Sequence, residues 1–383
     1  MPKAAVLPAL DAPLEIREVE VDSPHAGEVK VRMGASGVCH SDLSIQNGTL
    51  MSPTPIVLGH EGAGVIEEVG EGVTGLEPGD HIVISWVPQC GTCYFCVRDQ
   101  GELCETSSLA LAAGGLLDGT TRLTSSGTPL YQMAASGTFS EQTIIPAIGA
   151  VKIPKDLDLR VAALIGCGVL TGVGAALNTA RIRKGDTVAV IGCGGVGLNV
   201  IQGARIAGAE HIVGIDMLEN KLQLAKEFGA TTTVNASQAD AVSQVMEMTG
   251  QRGADVAFEV IGLGPTIEQT VMMTRRGGQA ILVGVPRMEV MLTLPAFFGV
   301  VLAEKTIKGC WYGSSNVQRD VPRLIDYYKK GELKLDELIS RTITLDQVNE
   351  AFEALKAGEV ARSVIQYGDP VAGRERAEGE TRA

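Results

Sequence analysis

The chain has 383 residues, 45% of them apolar, and a net charge of -13, which leaves room for two globular domains with sizeable cores. So acidic a balance argues against nucleic acid or an anionic membrane surface as a general partner. No N-terminal stretch joins a basic start, an apolar run and a small-residue cleavage site, and no uninterrupted apolar run approaches the ~20 residues that span a bilayer; a cytoplasmic, non-membrane protein is expected.

The first ~150 residues read as β-rich. "EVKVRMGASGV", "AGVIEEVG" and "DHIVISWV" are short apolar or alternating runs bounded by turn residues, a spacing that suggests a partly closed barrel or a sandwich. "GVCHSD" sets Cys39 and His40 just after the first of these, and "LGHEG" sets His60 beside Glu61. Next comes "CGTCYFCVRDQGELC", which holds four of the eight cysteines as C-x₂-C-x₂-C-x₇-C. Without an export signal, disulfides are not expected to persist. Cys90, Cys93, Cys96 and Cys104 instead suit four thiolates around one tetrahedral zinc, with no open position and therefore a structural role. The segment from Cys104 to Phe139 shows turn chemistry and little periodicity, and is expected to form a functional or interface lobe.

The pattern then changes. "ALIGCGVLTGVGA" brings in Cys167, and "TVAVIGCGGVGLNVIQGARIAGAEHIVGID" reads as strand, glycine turn, helix and strand. Gly192, Gly194, Gly195, Val196 and Gly197 fall within a G-x-G-x-x-G turn in its required context, after a buried strand and at the opening of a helix. Such a turn admits a pyrophosphate against backbone N–H groups and a helix N-terminus. Asp216 ends the next strand, nineteen residues after Gly197. A carboxylate there can accept from both ribose hydroxyls and repels a 2′-phosphate, so NAD(H) is expected rather than NADP(H), with Lys221 close to the same ribose. Further strands ("ADVAFEVIG", "QAILVGVP") alternate with helices ("KLQLAKEFGA", "TIEQTVMMTRRGG"), which implies a doubly wound parallel sheet. From about Thr306 come two amphipathic helices, "VPRLIDYYKKGEL" and "LDQVNEAFEALKAGE", and a closing strand, "ARSVIQY". The expected division is residues 1–168, a nucleotide-binding domain 169–309, a return to the first domain over 310–369, and a disordered polar tail 370–383.

Taken singly, Cys39, His60 and Cys167 each also suit an ordinary buried thiol or a hydrogen-bonded histidine. In combination, "GVCHSD", "GHEGAGVIEEVGEGV", the four-cysteine loop, "IGCGVLTG" and "GCGGVG" stand in the order found in the zinc-dependent medium-chain alcohol dehydrogenases. The chain resembles that family, its NAD-linked liver-type branch in particular, from about Ala4 to Tyr367. The resemblance implies a GroES-like, β-rich catalytic domain beside a Rossmann domain, NAD(H), and two zinc ions per chain. It makes Cys39, His60 and Cys167 ligands of a catalytic zinc with one open position. Glu61 would sit behind the metal, Asp42 would hold His60, Ser41 would bind the alcohol hydroxyl, and His40, Thr171 and Arg362 would meet the cofactor. Where liver-type relatives complete a proton relay with histidine, this chain has Ser44; water or His40 would substitute.

By position, Trp86, Leu50, Leu109, Met133 and Val285 resemble the substrate-pocket lining. A large ring at Trp86 favours primary alcohols and their aldehydes, aromatic ones included. The thiol-dependent formaldehyde dehydrogenase branch is a rival, but its charged grip on the substrate is replaced here by Ser108 and Leu50. A nicotinoprotein with permanently bound NAD is a second rival. A non-catalytic NAD(H) sensor or structural protein is a third, disfavoured because the ligand set is complete. The resemblance, with the long lobe and the apolar stretch "VMLTLPAFFGVVLAEKTIKG", also implies a homodimer.

Overall fold

The computed structural model describes residues 1–368, which divide into two units. The first comprises Met1–Cys167, Asn316–Arg323 and the chain from Leu335 onward; the second comprises Gly168–Ser315 and Leu324–Lys334. The tail expected at 370–383 lies outside the described residues.

The first unit is built on the long strand Glu28–Val38. Val29, Val31 and Met33 point inward while Lys30 and Arg32 are half exposed, the period-two pattern of a strand with one covered face. Antiparallel partners are Glu61–Val69, Gln142–Pro146 and Arg362–Gln366. The resulting seven-stranded sheet faces a six-stranded one that begins with Lys3–Leu7 and Glu15–Glu18. Phe139, Phe352, Ile66, Ile82 and Ile84 fill the core, each contributing about 1.5–3 kcal/mol by burial.

The second unit is a six-stranded sheet, parallel throughout. Numbered along the chain as Thr187–Ile191, His211–Asp216, Thr232–Asn235, Ala254–Glu259, Thr274–Leu282 and Thr306–Gly309, its strands run in the spatial order 3-2-1-4-5-6. That is the Rossmann order. The first strand is buried at every position, as a parallel strand covered on both faces must be.

Four expectations need adjustment. The helix read through "TRRGG" stops at Met273, and Thr274 opens the next strand, because Arg275 pairs with Asp255 at 2.5 Å and draws the chain out beside Ala254–Glu259. The lobe after Cys104 is more regular than expected. It holds a helix, Glu105–Ala113, and a hairpin, Leu123–Ser125 with Thr128–Gln132, closed by Ser126 and Gly127, both at positive φ, as a two-residue hairpin turn requires. The return to the first unit begins at Asn316, not at residue 310, because Cys310 N–H bonds to Leu282 O and Asn178 Nδ2 bonds to Gly313 O. Finally, the helical run Leu159–Thr179 is long and apolar enough to cross a membrane by length and composition, yet 83% of its most apolar stretch is buried within the protein, which marks it as a core helix.

Candidate active site and metal centres

Cys39 follows the central strand and stands in extended conformation just before the helix His40–Gln46. Asp42, in the first turn of that helix, reaches back and accepts the Cys39 N–H at 2.8 Å through Oδ2. Its other oxygen accepts the Gly59 N–H at 3.1 Å and His60 Nδ1–H at 3.0 Å. One carboxylate, wholly buried, thus fixes two of the candidate ligands. It also orients the ring, with Nε2 of His60 buried and without a hydrogen-bond partner among the described residues. Cys167 arrives on a π-helical turn, Ile165–Val169, a distortion common at functional sites.

The two sulfurs and the imidazole nitrogen lie within 4.8 Å of one another, and both thiols are free. Tetrahedral zinc with bonds of ~2.3 Å to sulfur separates its ligand atoms by ~3.5–3.8 Å, so an ion fits with little movement. Three ligands leave the fourth position open, as in catalytic zinc sites.

The surroundings are charged and dry. Arg362, 4% exposed, places Nε 3.4 Å from Glu61 Oε2 and Nη2 3.9 Å from Cys39 Sγ. Gly37 makes room for Glu61: a Cβ there would stand 2.1 Å from Oε2. A hydrogen bond from Cys167, opposed by burial and helped by the charge of Arg362, holds the Cys39 thiol well below its usual range. The same bond, with burial, pushes Cys167 well above it. Burial works against a charged His60, but Asp42 outweighs it and raises the imidazole. Trp86 presents itself edge-on to His60, with ring centroids 6.2 Å apart at 87°.

A second cluster joins Cys90, Cys93, Cys96 and Cys104, also within 4.8 Å. The Cys93 N–H points at Cys90 Sγ (3.4 Å) and the Cys90 N–H at Cys104 Sγ (3.5 Å). Burial raises the Cys90 thiol, but N–H donors from Thr92 and Cys93 outweigh it and bring it down to about 5. Donors aimed at sulfur favour thiolates, the form that binds metal.

In the second unit Gly192 has φ +98°, and a Cβ added at Gly194 would meet nothing within 4 Å. Backbone therefore faces open space at the start of the helix Gly195–Ile206, where a pyrophosphate could approach. Asp216 accepts the Cys193 N–H at 2.9 Å and the Leu218 N–H at 3.0 Å, which holds its carboxylate beside the turn. Burial, reinforced by Asp216, pushes Cys193 up to about 12, so this thiol is inert.

Comparison with known proteins agrees with this geometry. The alcohol dehydrogenase GroES-like domain matches residues 25–155, and the zinc-binding dehydrogenase domain matches residues 195–330. The chain is 42% identical over 370 residues to an NDMA-dependent alcohol dehydrogenase of Amycolatopsis methanolica, covering 95% of this chain and 98% of the relative. The chain belongs to the zinc-binding medium-chain alcohol dehydrogenase family. Among solved structures, this dehydrogenase resembles an alcohol dehydrogenase zinc-binding domain protein from Burkholderia ambifaria, with TM-score 0.92, 33% identity and coverage of 96% and 99% of the two chains. It also resembles benzyl alcohol dehydrogenase from Acinetobacter calcoaceticus, with TM-score 0.91, 30% identity and the same coverage.

The remaining expected residues of the dehydrogenase fall into two groups. Ser41 Oγ lies 3.9 Å from Cys39 Sγ, and His40 opens the same helix with its side chain exposed. Leu50, Trp86 and Met133 pack on the core of the first unit. Thr171 is half buried in the helical turn Leu170–Gly174, and Lys221 is half buried near the start of the helix Glu219–Phe228. Leu109 projects outward from its helix, 74% exposed. Val285, in the second unit, is 42% exposed. Arg362, expected at a cofactor phosphate, is buried and also meets Glu61 and Cys39. Sequence reasoning missed that contact and the role of Gly37. It had assigned Glu61 a place behind the metal, and the small-residue run "GASG" was the signal that strands pack closely there.

Proposed function

We propose that this dehydrogenase transfers hydride reversibly between NAD(H) and a primary alcohol or its aldehyde, aromatic ones included. Each chain would hold one catalytic and one structural zinc. The observation that carries the reading is the meeting of Cys39 Sγ, Cys167 Sγ and the unpartnered Nε2 of His60 within 4.8 Å of one another. Zinc would supply the Lewis acidity that lowers an alcohol's pKa or polarises a carbonyl, and the nicotinamide would accept or return the hydride. The chain's own residues do the rest. Asp42 holds the imidazole in one tautomer and orientation. Arg362 and Glu61 balance the charge of the thiolates. Ser41 receives the substrate hydroxyl and passes its proton outward, toward water or His40, since Ser44 ends no relay. Trp86 narrows the space next to His60 and so favours primary over bulky secondary alcohols. Asp216 selects NAD(H) over NADP(H).

A second reading keeps NAD bound and recycles it with an external acceptor. The NDMA dependence of the Amycolatopsis relative favours it. The thiol-dependent formaldehyde reading loses ground, because Ser108 Oγ is spent on Cys104 O at 3.0 Å and offers no charge. We also propose a homodimer. Phe297, Phe298, Val301 and Leu302 are all at least 49% exposed and precede Thr306–Gly309, the edge strand of the parallel sheet, so an isologous contact would cover them.

The test is to dialyse the purified protein, count zinc, and assay benzyl alcohol with no nucleotide, with NAD, and with an artificial electron acceptor alone. Two zinc per chain and turnover that needs added NAD support the first reading. Turnover with acceptor alone supports the second. One zinc per chain and no turnover under any condition would leave only a binding protein.

A further inference from the structure

Glu259 ends the fourth strand of the parallel sheet and is wholly buried. Its Oε1 accepts three hydrogen bonds, from the N–H groups of Ile261 (3.0 Å) and Gly262 (2.8 Å) and from Thr266 Oγ (2.7 Å). Its Oε2 has no partner among the described residues. The second turn at this end of the sheet packs on that oxygen: a Cβ added at Gly284 would lie 2.5 Å from Oε2 and 2.2 Å from the Gly262 nitrogen. The Val283 and Gly284 N–H groups both donate to the Glu259 carbonyl, at 2.8 and 3.0 Å. Glu259 therefore fastens the turns after the fourth and fifth strands together. A glutamine could accept the three bonds to Oε1 equally well, so fastening alone does not explain why a charged group with an idle oxygen is enclosed here.

Its position supplies a reason. In a 3-2-1-4-5-6 sheet the dinucleotide lies across the carboxyl ends of the strands, one mononucleotide over each half. The glycine turn and Asp216 occupy the first half, which takes the adenosine. The nicotinamide half then belongs to strands four to six, and Glu259 ends the first of these. Oxidised nicotinamide carries a positive charge on its ring and reduced nicotinamide does not. A carboxylate enclosed in protein, where charges are weakly screened, stabilises the cationic ring over the neutral one.

We propose that Glu259 biases the bound nucleotide toward its oxidised form, by charge and without touching the substrate. The idea rests on the NAD(H) reading above and deepens it: the bias keeps NAD⁺ seated for alcohol oxidation and loosens NADH.

The experiment measures dissociation constants for NAD⁺ and NADH on zinc-replete protein by tryptophan fluorescence and calorimetry. The variants are Glu259→Gln and the matched pair Glu259→Asp and Glu259→Asn. Removal of the charge should lower the ratio Kd(NADH)/Kd(NAD⁺) about tenfold, a change of ~1.4 kcal/mol. A purely structural role moves both constants together and leaves the ratio alone. Asp and Asn share the same packing defect and differ in charge, so the ratio should separate them even if glutamine prevents folding. Where nucleotide stays bound through purification, equilibration with alcohol and aldehyde pairs reads the same effect as a rise of about 30 mV in the midpoint potential. Equal ratios in the wild type, the Gln variant and the Asp and Asn pair overturn the proposal while nucleotide binding stands. A wild type that binds neither nucleotide overturns the NAD(H) reading and this proposal with it.

Discussion

Asp42→Asn is the sharpest test of how the metal centre is assembled. The carboxylate serves three buried donors, the Cys39 N–H on one oxygen and the Gly59 N–H and His60 Nδ1–H on the other. An amide of the same shape must turn its NH₂ toward one side. Facing Gly59 and His60, it loses two bonds and opposes two donors. Facing Cys39, it loses one. The second arrangement wins, and it sets the Cys39 N–H against the amide's own buried hydrogens, at a cost of about 1–3 kcal/mol for each group left unsatisfied. For a chain of this size each kcal/mol lowers Tm by roughly 1–2 °C. His60 keeps its orientation but exchanges an anionic partner for a neutral carbonyl, which makes Nε2 a poorer ligand; loss of such a partner weakens metal binding about 10–100-fold. Competition for zinc against a chromophoric chelator, with scanning fluorimetry on the same samples, reads both effects. Zinc affinity within about twofold of wild type, together with an unchanged Tm, would refute the claim that Asp42 organises this centre.

Four further outcomes follow from the same geometry. Cys93→Ser should lower the zinc content by one ion per chain relative to the unaltered protein and open the 90–104 loop to protease, since metal binding to such sites is worth about 10–16 kcal/mol of order; mass spectrometry of the metal and of the nicked fragments checks both. Asp216→Ser should shift the NADP⁺/NAD⁺ preference in kcat/KM by about tenfold or more toward NADP⁺, because repulsion of a 2′-phosphate disappears. Trp86→Ala should raise kcat/KM for secondary alcohols relative to primary ones; an unchanged ratio would place the ring outside the pocket. For Asp118, burial raises the carboxyl, but hydrogen bonds from Arg122 and Thr120 prevail and hold it at about 2. A depressed carboxyl stabilises the fold above its unfolded value near 3.9 and loses that contribution as the pH falls toward 2. Because its side chain is 48% exposed, screening limits the effect to about 1 kcal/mol. Asp118→Asn should therefore cost about that much in urea melts at pH 7 and progressively less as the pH falls through 2.

How far the site could be read from the sequence depended on how local its geometry is. The four-cysteine loop and the glycine turn are legible because each lies on one short stretch of chain, whose spacing already dictates which backbone groups face the ligand. "CHSD" is legible in part for the same reason: an acid in the first helical turn reaches back to the residue before the helix, and the neighbouring histidine strand completes the contact. Arg362 behaves differently. Its place beside Cys39 and Glu61 follows from antiparallel pairing of Ser363 with Val38 and Gln366 with Ala35, between segments more than 320 residues apart. Shifting that register by one residue would turn Arg362 to the other face of the sheet, and nothing local in "GEVARSV" specifies the register. The exposure of Leu109 is hidden from the sequence for a related reason. "SSLALAA" is small and apolar nearly all round, so its sequence does not say which face of the helix is covered. Glu259 was invisible because an acid at a strand end usually meets water; only the fold shows two turns closing over it. The residues hardest to find from sequence are thus those that become neighbours by sheet register and by turn packing. In this dehydrogenase Arg362 and Glu259 are such residues, while the four-cysteine loop and the glycine turn are written locally.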